Sequence, residues 1–224
     1  ESLAQSLTEL TESLELLSAI KAAKRPTDIT ALQTALNRVI TLSITEIEQL
    51  QTDLNTLKNL PEGNLAIRDT HQENLSDFRL QYEDIKAQLN QILSLDDIIK
   101  IAGTVKQWRE KKYQPAVNVI VDFIAVFKNQ ESIATAQQRL AAIIKDERRI
   151  RYGLSAYKTS VFMRLVKKAQ HAVAQAVQFN AVAQTMLAAP HEQTDAVASA
   201  VKSAAARIEE AYSIFLTMSA LIKK

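Results

Sequence analysis

The chain has no cysteine in its 224 residues, which excludes disulfides, thiolate nucleophiles and cysteine metal sites together. Glycine and proline are nearly as scarce, at 3 and 4 residues, against an average usage of roughly 7% and 5%. Few breakers mean few turns, and therefore few but long elements. With glycine only at positions 63, 103 and 153, no phosphate-cradling loop, dinucleotide fingerprint or nucleophile elbow can be read. His71, His171 and His191 are scattered, and none has a second histidine three or four residues on, so no metal-ligand pattern forms. Charged residues interrupt each apolar run before about 18 residues, so neither a membrane span nor a signal peptide is read. No sustained period-2 alternation marks a strand. No catalytic residue, cofactor or metal ligand is expected, and the chain reads as a non-enzyme.

What is present is 47% hydrophobic and 23% charged residues, the balance of a globular chain. Alanine, leucine, glutamine, isoleucine, lysine and glutamate fill the long segments, and most of these favour helices. The expected fold is all-α: an elongated bundle of about six or seven long, mostly antiparallel helices with a proline kink near Pro115. Two segments are expected, a heptad-patterned three-helix part over 1–93 and a helical bundle over 94–224. The two form one continuous body in the alternative reading.

Leu3, Leu7, Leu10, Leu14 and Leu17 step by 4 and 3, which predicts a first helix over residues 2–24, stopped at Lys24-Arg25-Pro26. Thr27 or Asp28 then caps a second helix to about Leu60, on the stripe Ile29, Leu32, Leu36, Ile40, Ile44, Ile47, Leu50, Leu54 and Leu57. The loop "LPEGN" follows, with Asn64 expected to cap a third helix whose seam is Leu75, Phe78, Tyr82, Ile85, Leu89 and Ile92. Ser94-Leu95-Asp96-Asp97 is a helix start, a serine cap with two carboxylates in the first turn. Adjacent aspartates point about 100° apart on a helix, so they are not read as an acid/base dyad. Glu83-Asp84 and Glu209-Glu210 read as helix-surface charge.

The stretch "VKQWREKKYQPAVNVIVDF", residues 105–123, holds the only tryptophan and a Tyr-x-Pro step. Proline cannot donate a backbone hydrogen bond and disfavours the helical conformation of the residue before it, so the helix is expected to kink or stop near Tyr113, with Pro115 in the first turn of the next. Trp108, Arg109, Tyr113 and Pro115 form this structural joint. From Val117 to Phe127 only Asn118 and Asp122 are polar, which predicts a central helix surrounded by neighbours. Arg109 and Asp122 are expected to reach water at its margin rather than pair across the joint.

The block W-R-E-x-x-Y-x-P-x-V-x-x-I-V-D-F, Trp108 to Phe123, with the Val126-Phe127 step and the later run Ala136, Arg139, Leu140, Ile143 and Asp146, resembles uncharacterised exported helical proteins of small-genome candidate-phylum bacteria. The resemblance implies export and a surface or envelope role; it brings no catalytic residues. A chain beginning at Glu1 reads as a processed mature protein or as a piece of a longer one, and an extracellular or cell-surface location is the expectation.

Charge is unevenly placed. Residues 1–100 hold 16 acidic and 9 basic side chains, and residues 101–224 hold 9 and 18, so −7 faces +9. The basic side chains concentrate between Arg139 and Lys168, where Tyr152, Tyr157 and Phe162 interleave with them. Arg148, Arg149, Arg151, Lys158, Arg164, Lys167 and Lys168 are the candidate contacts to an anionic surface. Ile150, Leu154, Tyr157, Val161 and Leu165 form the apolar face expected of an interfacial helix there. The competing reading is a solvated face complemented by the acidic half, and nucleic acid ranks last because no fold motif for it is present. Alanine-rich residues 169–189 predict close packing against the central helix, Pro190 ends that helix, and Thr194-Asp195 opens a last one. In the last helix Val197, Val201, Ala205, Ile208, Tyr212 and Phe215 are expected to face inward.

The leading expectation is an exported structural or interaction module of the cell envelope: a spacer, scaffold or adhesion stalk whose partner is a protein or an envelope polymer. The alternative is a membrane-active helical protein, either a peripheral binder of anionic membranes or a pore-forming bundle. A cytoplasmic helical adaptor using its two charge fields comes third.

Overall fold

The computed structural model describes residues 28–58, 60–91, 94–187 and 194–223. The expected helix over residues 2–24, its Lys24-Arg25-Pro26 stop, and the expectations for Thr27, Ile92 and Pro190 lie outside the described residues. All regular structure described is helical: α1 (Asp28–Thr56), α2 (Glu62–Leu89), α3 (Leu95–Trp108), a π-helical turn (Arg109–Tyr113), α4 (Gln114–Tyr152), α5 (Ala156–Leu187) and α6 (Thr194–Lys223). Since α3, the π turn and α4 follow one another without a break, the described chain makes five helical runs. It divides into two compact units, one ending at Ile120 and the other starting at Val121. The division counts α3, the π turn and the first turns of α4 with α1 and α2, whereas the sequence pattern separated them at residue 93.

In the first unit, α1 buries Leu32, Leu36, Ile40, Ile47, Leu50 and Leu54, each 2% exposed or less, along the stripe read from the sequence. Its partner α2 buries Leu75, Tyr82 and Leu89, seven residues apart, while Phe78 and Ile85 flank them half-buried. The two helices run antiparallel, because Gln33 Nε2 donates to the carbonyl of Leu89 at 2.9 Å while Gln72 Nε2 donates to that of Gln51 at 2.9 Å. Helix α2 starts two residues before the expected cap. Pro61 takes the cap position with φ −55° and ψ 149°, and its carbonyl accepts from the N–H of Asn64 at 2.8 Å and of Leu65 at 3.2 Å. Proline suits that place because it has no N–H of its own to satisfy. Ser94 caps α3 as read: the Asp97 N–H donates to Ser94 Oγ at 3.2 Å, and Oγ donates to Asp97 Oδ2 at 2.6 Å.

The chain does not stop at Tyr113. The N–H of Gln114 donates to the carbonyl of Arg109, a five-residue step, and Gln114 keeps helical dihedrals of −61° and −44°. An α-helix would need Pro115 to donate to Lys111 and would drive its ring against that carbonyl. Widening one turn to π geometry relieves that demand while staying helical. Pro115 sits exposed in the first turn of α4.

The second unit is a three-helix bundle. Ile133 of α4 packs with Ala176 of α5 and Ile208 of α6 in one cluster. Ala136 and Leu140 pack with Phe162, Val166, Ala169 and Val173, and with Ala211, Ile214, Phe215 and Met218, in the next. The numbering rises along α4 and α6 while it falls along α5, so α5 is antiparallel to both. Helix α5 places Ala169, Ala172, Ala176 and Ala183 at 0–1% exposure, and its closest backbone approach is to α6. Small side chains allow that approach. Helix α6 buries Val197, Ile208 and Phe215 of the expected face together with Ala200, Ala204, Ala211, Ile214 and Met218, whereas Val201, Ala205 and Tyr212 are half-buried. Gly153 lies in the turn that separates α4 from α5, as a local break. Gly103 is exposed, with nothing within 4 Å of where a Cβ would stand, so it serves no close helix approach.

Candidate functional site

Two places gather the singled-out side chains. The first is the joint, assembled from four elements of the first unit. Ser43 and Glu46 come from α1, Phe78 and Tyr82 from α2, Trp108 from the end of α3, and Arg109 and Tyr113 from the π turn. Arg109 and Tyr113, four residues apart and so on one helix face, both point inward, at 6% and 0% exposure. Arg109 does not reach for water. Its Nη1 donates to Ser43 Oγ and to the Tyr82 hydroxyl, and its guanidinium carbon lies 4.8 Å from the centroid of Tyr113 and 5.9 Å from that of Tyr82. Ser43 Oγ passes its own proton to the carbonyl of Val39 at 2.8 Å. The Tyr113 hydroxyl donates to Glu46 Oε2 at 2.6 Å. The rings of Phe78, Tyr82, Trp108 and Tyr113 complete the box, with centroids 5.0–5.7 Å apart and mostly edge-on, a favourable arrangement of ring quadrupoles.

Burial pushes the Tyr113 phenol well above its ordinary range, and the neighbouring Glu46 carboxylate, which its proton serves, pushes it further. Burial also raises Tyr82, partly offset by the Arg109 charge. Both phenols therefore hold their protons as hydrogen-bond donors or acceptors and do not exchange them near neutral pH. Chemically, the corner is suited to joining three helices. Asp122 likewise is buried, not solvated, at 8% exposure, and desolvation raises its carboxyl to about 6. The expected release to water thus fails for both: Arg109 is enclosed by Ser43, Tyr82 and Tyr113, and Asp122 is buried.

The second place is the turn between α4 and α5. Arg148, Arg149 and Arg151 stand exposed on the last turns of α4; Arg164, Lys167 and Lys168 stand exposed on α5, and Lys158 is half-buried. The structure does not form the single interfacial helix expected over Ile150 to Leu165. The turn at 153–155 splits it, Leu154 packs inward against the second unit's core, and Tyr157 is 79% exposed instead of lying on the apolar face. Tyr152 matches it at 80%.

Ser43 and Glu46 were not singled out from the sequence, and Tyr82 was placed on the apolar seam of α2 without its hydroxyl's partner. A signal existed for the first, a polar residue between Ile40 and Ile47 on an otherwise apolar stripe. Of the histidines, His71 is half-buried on α2, where burial lowers its pKa, and His171 is exposed on α5. His191 lies outside the described residues. Among the described residues no helix is long and apolar enough to cross a membrane. Compared with protein-family models, curated proteins and solved structures, the chain matches none.

Proposed function

We propose that this chain is a non-enzymatic structural or interaction module of the cell envelope, an exported helical spacer, scaffold or adhesion stalk. In this reading it is an elongated bundle of six or seven mostly antiparallel helices. Its partner is a protein or an envelope polymer, and it works without a cofactor.

The observation that carries the reading is where the polar chemistry goes. Among the described residues, the buried polar side chains are Ser43, Arg109, Asp122 and Asn180, and Arg109 and Ser43 are bound to each other and to helix groups. Such a network fixes the mutual position of helices, which is what a load-transmitting or spacing element needs. Five described helices of 28 to 39 residues support the same reading. The envelope location is supported by the resemblance of Trp108 to Phe123 to exported helical proteins. Fractionation of the cells that make the protein tests it: the chain is expected with the envelope or the medium. Recovery wholly in the soluble cytoplasm overturns the reading.

A further inference from the structure

The end of the second unit formed by the α4–α5 turn combines features that folding does not use. Helix α4 finishes at Tyr152; the N–H groups of Gly153 and Leu154 then donate back to Ile150 and Arg151 at 3.1 and 3.2 Å. Ser155 starts α5 by accepting from the Lys158 N–H at its Oγ, 3.3 Å, and from the Thr159 N–H at its carbonyl, 2.8 Å. Leu154 is drawn into the core with Phe162, which pins the turn. The two tyrosines on either side of it are left 80% and 79% exposed. A folded core gains nothing from large rings in water.

Charge at this end is one-sided. From Lys145 to Lys168 there are eight cations and two acids, net +6. Both acids are already engaged, Asp146 with Arg149 at 3.0 Å and Glu147 with Arg151 at 3.2 Å. Lys145, Arg148, Lys158, Arg164, Lys167 and Lys168 have no ion-pair partner among the described residues. Helix α6 supplies no compensation: it carries no acid from Ala211 onward, and its Leu221 packs into the same cluster as Leu154. The second unit therefore presents cations and phenol rings together at this end.

We propose that this hairpin tip is a docking site for the anionic phospholipid headgroups of a bilayer surface, with Tyr152 and Tyr157 entering the interface and the surrounding cations holding the phosphates. Tyrosine rings, apolar in body and polar at the tip, partition to that boundary. Each basic side chain near an anionic bilayer adds about fivefold to binding, and salt screens the effect. Single-stranded nucleic acid is the competing anionic occupant, but its binding proteins track the backbone along a basic groove lined by stacking rings, whereas these groups sit at the end of a helical hairpin. The contact is peripheral. It adds a bilayer surface to the partners of the interaction module proposed above and rests on that reading.

The test is co-sedimentation of the full chain with phosphatidylcholine vesicles containing about one third phosphatidylglycerol. Binding is expected at low salt, is expected to be absent with pure phosphatidylcholine, and should vanish in high salt. Arg148→Gln, Arg164→Gln and Lys167→Gln combined should weaken it about a hundredfold, and Tyr152→Ser with Tyr157→Ser severalfold. Lys202→Gln, an exposed cation of α6 outside the Lys145–Lys168 run, should leave it unchanged. A Tyr157→Trp chain should shift its emission to shorter wavelength on these vesicles, while the parent, reporting through Trp108, does not. All these positions are exposed, and circular dichroism checks that the variants fold. No binding at low salt, undiminished binding by the triple variant, or retention of a single-stranded oligonucleotide with no vesicle binding would overturn the proposal. A spacer with a protein partner would still fractionate with the envelope, so failure here is distinct from failure of the broader reading.

Discussion

Replacing Arg109 is the most informative perturbation of the first unit. Its two hydrogen bonds from a charged donor contribute about 1.5–3 kcal/mol each, and the cation–π contact with Tyr113 about 2 kcal/mol when desolvated. Against these stands the several kcal/mol required to take a guanidinium out of water. The intact group therefore adds little net stability, yet truncation is costly. Arg109→Ala leaves the Ser43 and Tyr82 hydroxyls facing a void between four aromatic rings, and we expect a loss of about 3 kcal/mol. Arg109→Met fills most of that space without a charge to desolvate and should cost less than about 1.5 kcal/mol. Trp108, the chain's only tryptophan, lies 5.0 Å from the Tyr82 ring, so its fluorescence follows this corner specifically. For a unit of this size, with a urea slope of about 1.5 kcal/mol per molar, the alanine variant's midpoint should fall by about 2 M. A loss under about 0.5 kcal/mol for alanine, or an equal loss for alanine and methionine, would refute the reasoning.

Other outcomes follow from the same physics. Asp122 has its folded pKa raised by burial to about 6, so the fold favours its protonated form; the stability this gives is full below the unfolded value of 3.8 and is lost as pH rises through about 6. Asp122→Asn should then match the parent near pH 4, exceed it increasingly until pH passes about 6, and keep a constant lead above that, read from thermal midpoints across pH 4–8; a gap of the same size at pH 4 and pH 8 would contradict this. Ala176→Leu, at a position 1% exposed and facing α6, should lose about 1–3 kcal/mol by overpacking, whereas Ala181→Leu on the exposed face should change little, both measured by circular dichroism melting. Ser94→Ala removes the α3 cap and should cost about 1 kcal/mol in Trp108-detected denaturation, with Ser94→Asp retaining most of it.

The helical class and the burial of α1 and α2 were legible because leucine and isoleucine mark their faces strongly, at steps of 3 and 4. Ser94 was legible for a local reason, since a cap and its first turn lie within four residues. The face of α6 was legible in part: Val197, Ile208 and Phe215 are buried as read, but Ala200, Ala204 and Ala211 are buried too, and alanine carries a weak hydrophobic signal beside the larger Val201 and Tyr212. Tyr157 was misplaced because the helical phase was carried through Gly153, where the chain turns. Residues 108–115, read as a joint, hold the π turn, but what packs there depends on Ser43 and Tyr82, which are 66 and 27 residues from Arg109. Such partners are fixed by tertiary packing, and only Ser43's place on an apolar stripe and Tyr82's on the seam of α2 hinted at them. The π turn was hidden for a related reason: proline excludes one hydrogen bond, and both a break and a widened turn satisfy that exclusion.

The claim at the centre of the account is that the chain works outside the cytoplasm, as a helical element of the envelope. The most direct measurement is labelling of intact cells with a membrane-impermeant amine reagent, followed by peptide mass spectrometry. Lys111, Lys112, Lys167 and Lys168 are exposed and should be modified before the cells are opened. Modification of these lysines only after lysis would contradict the account.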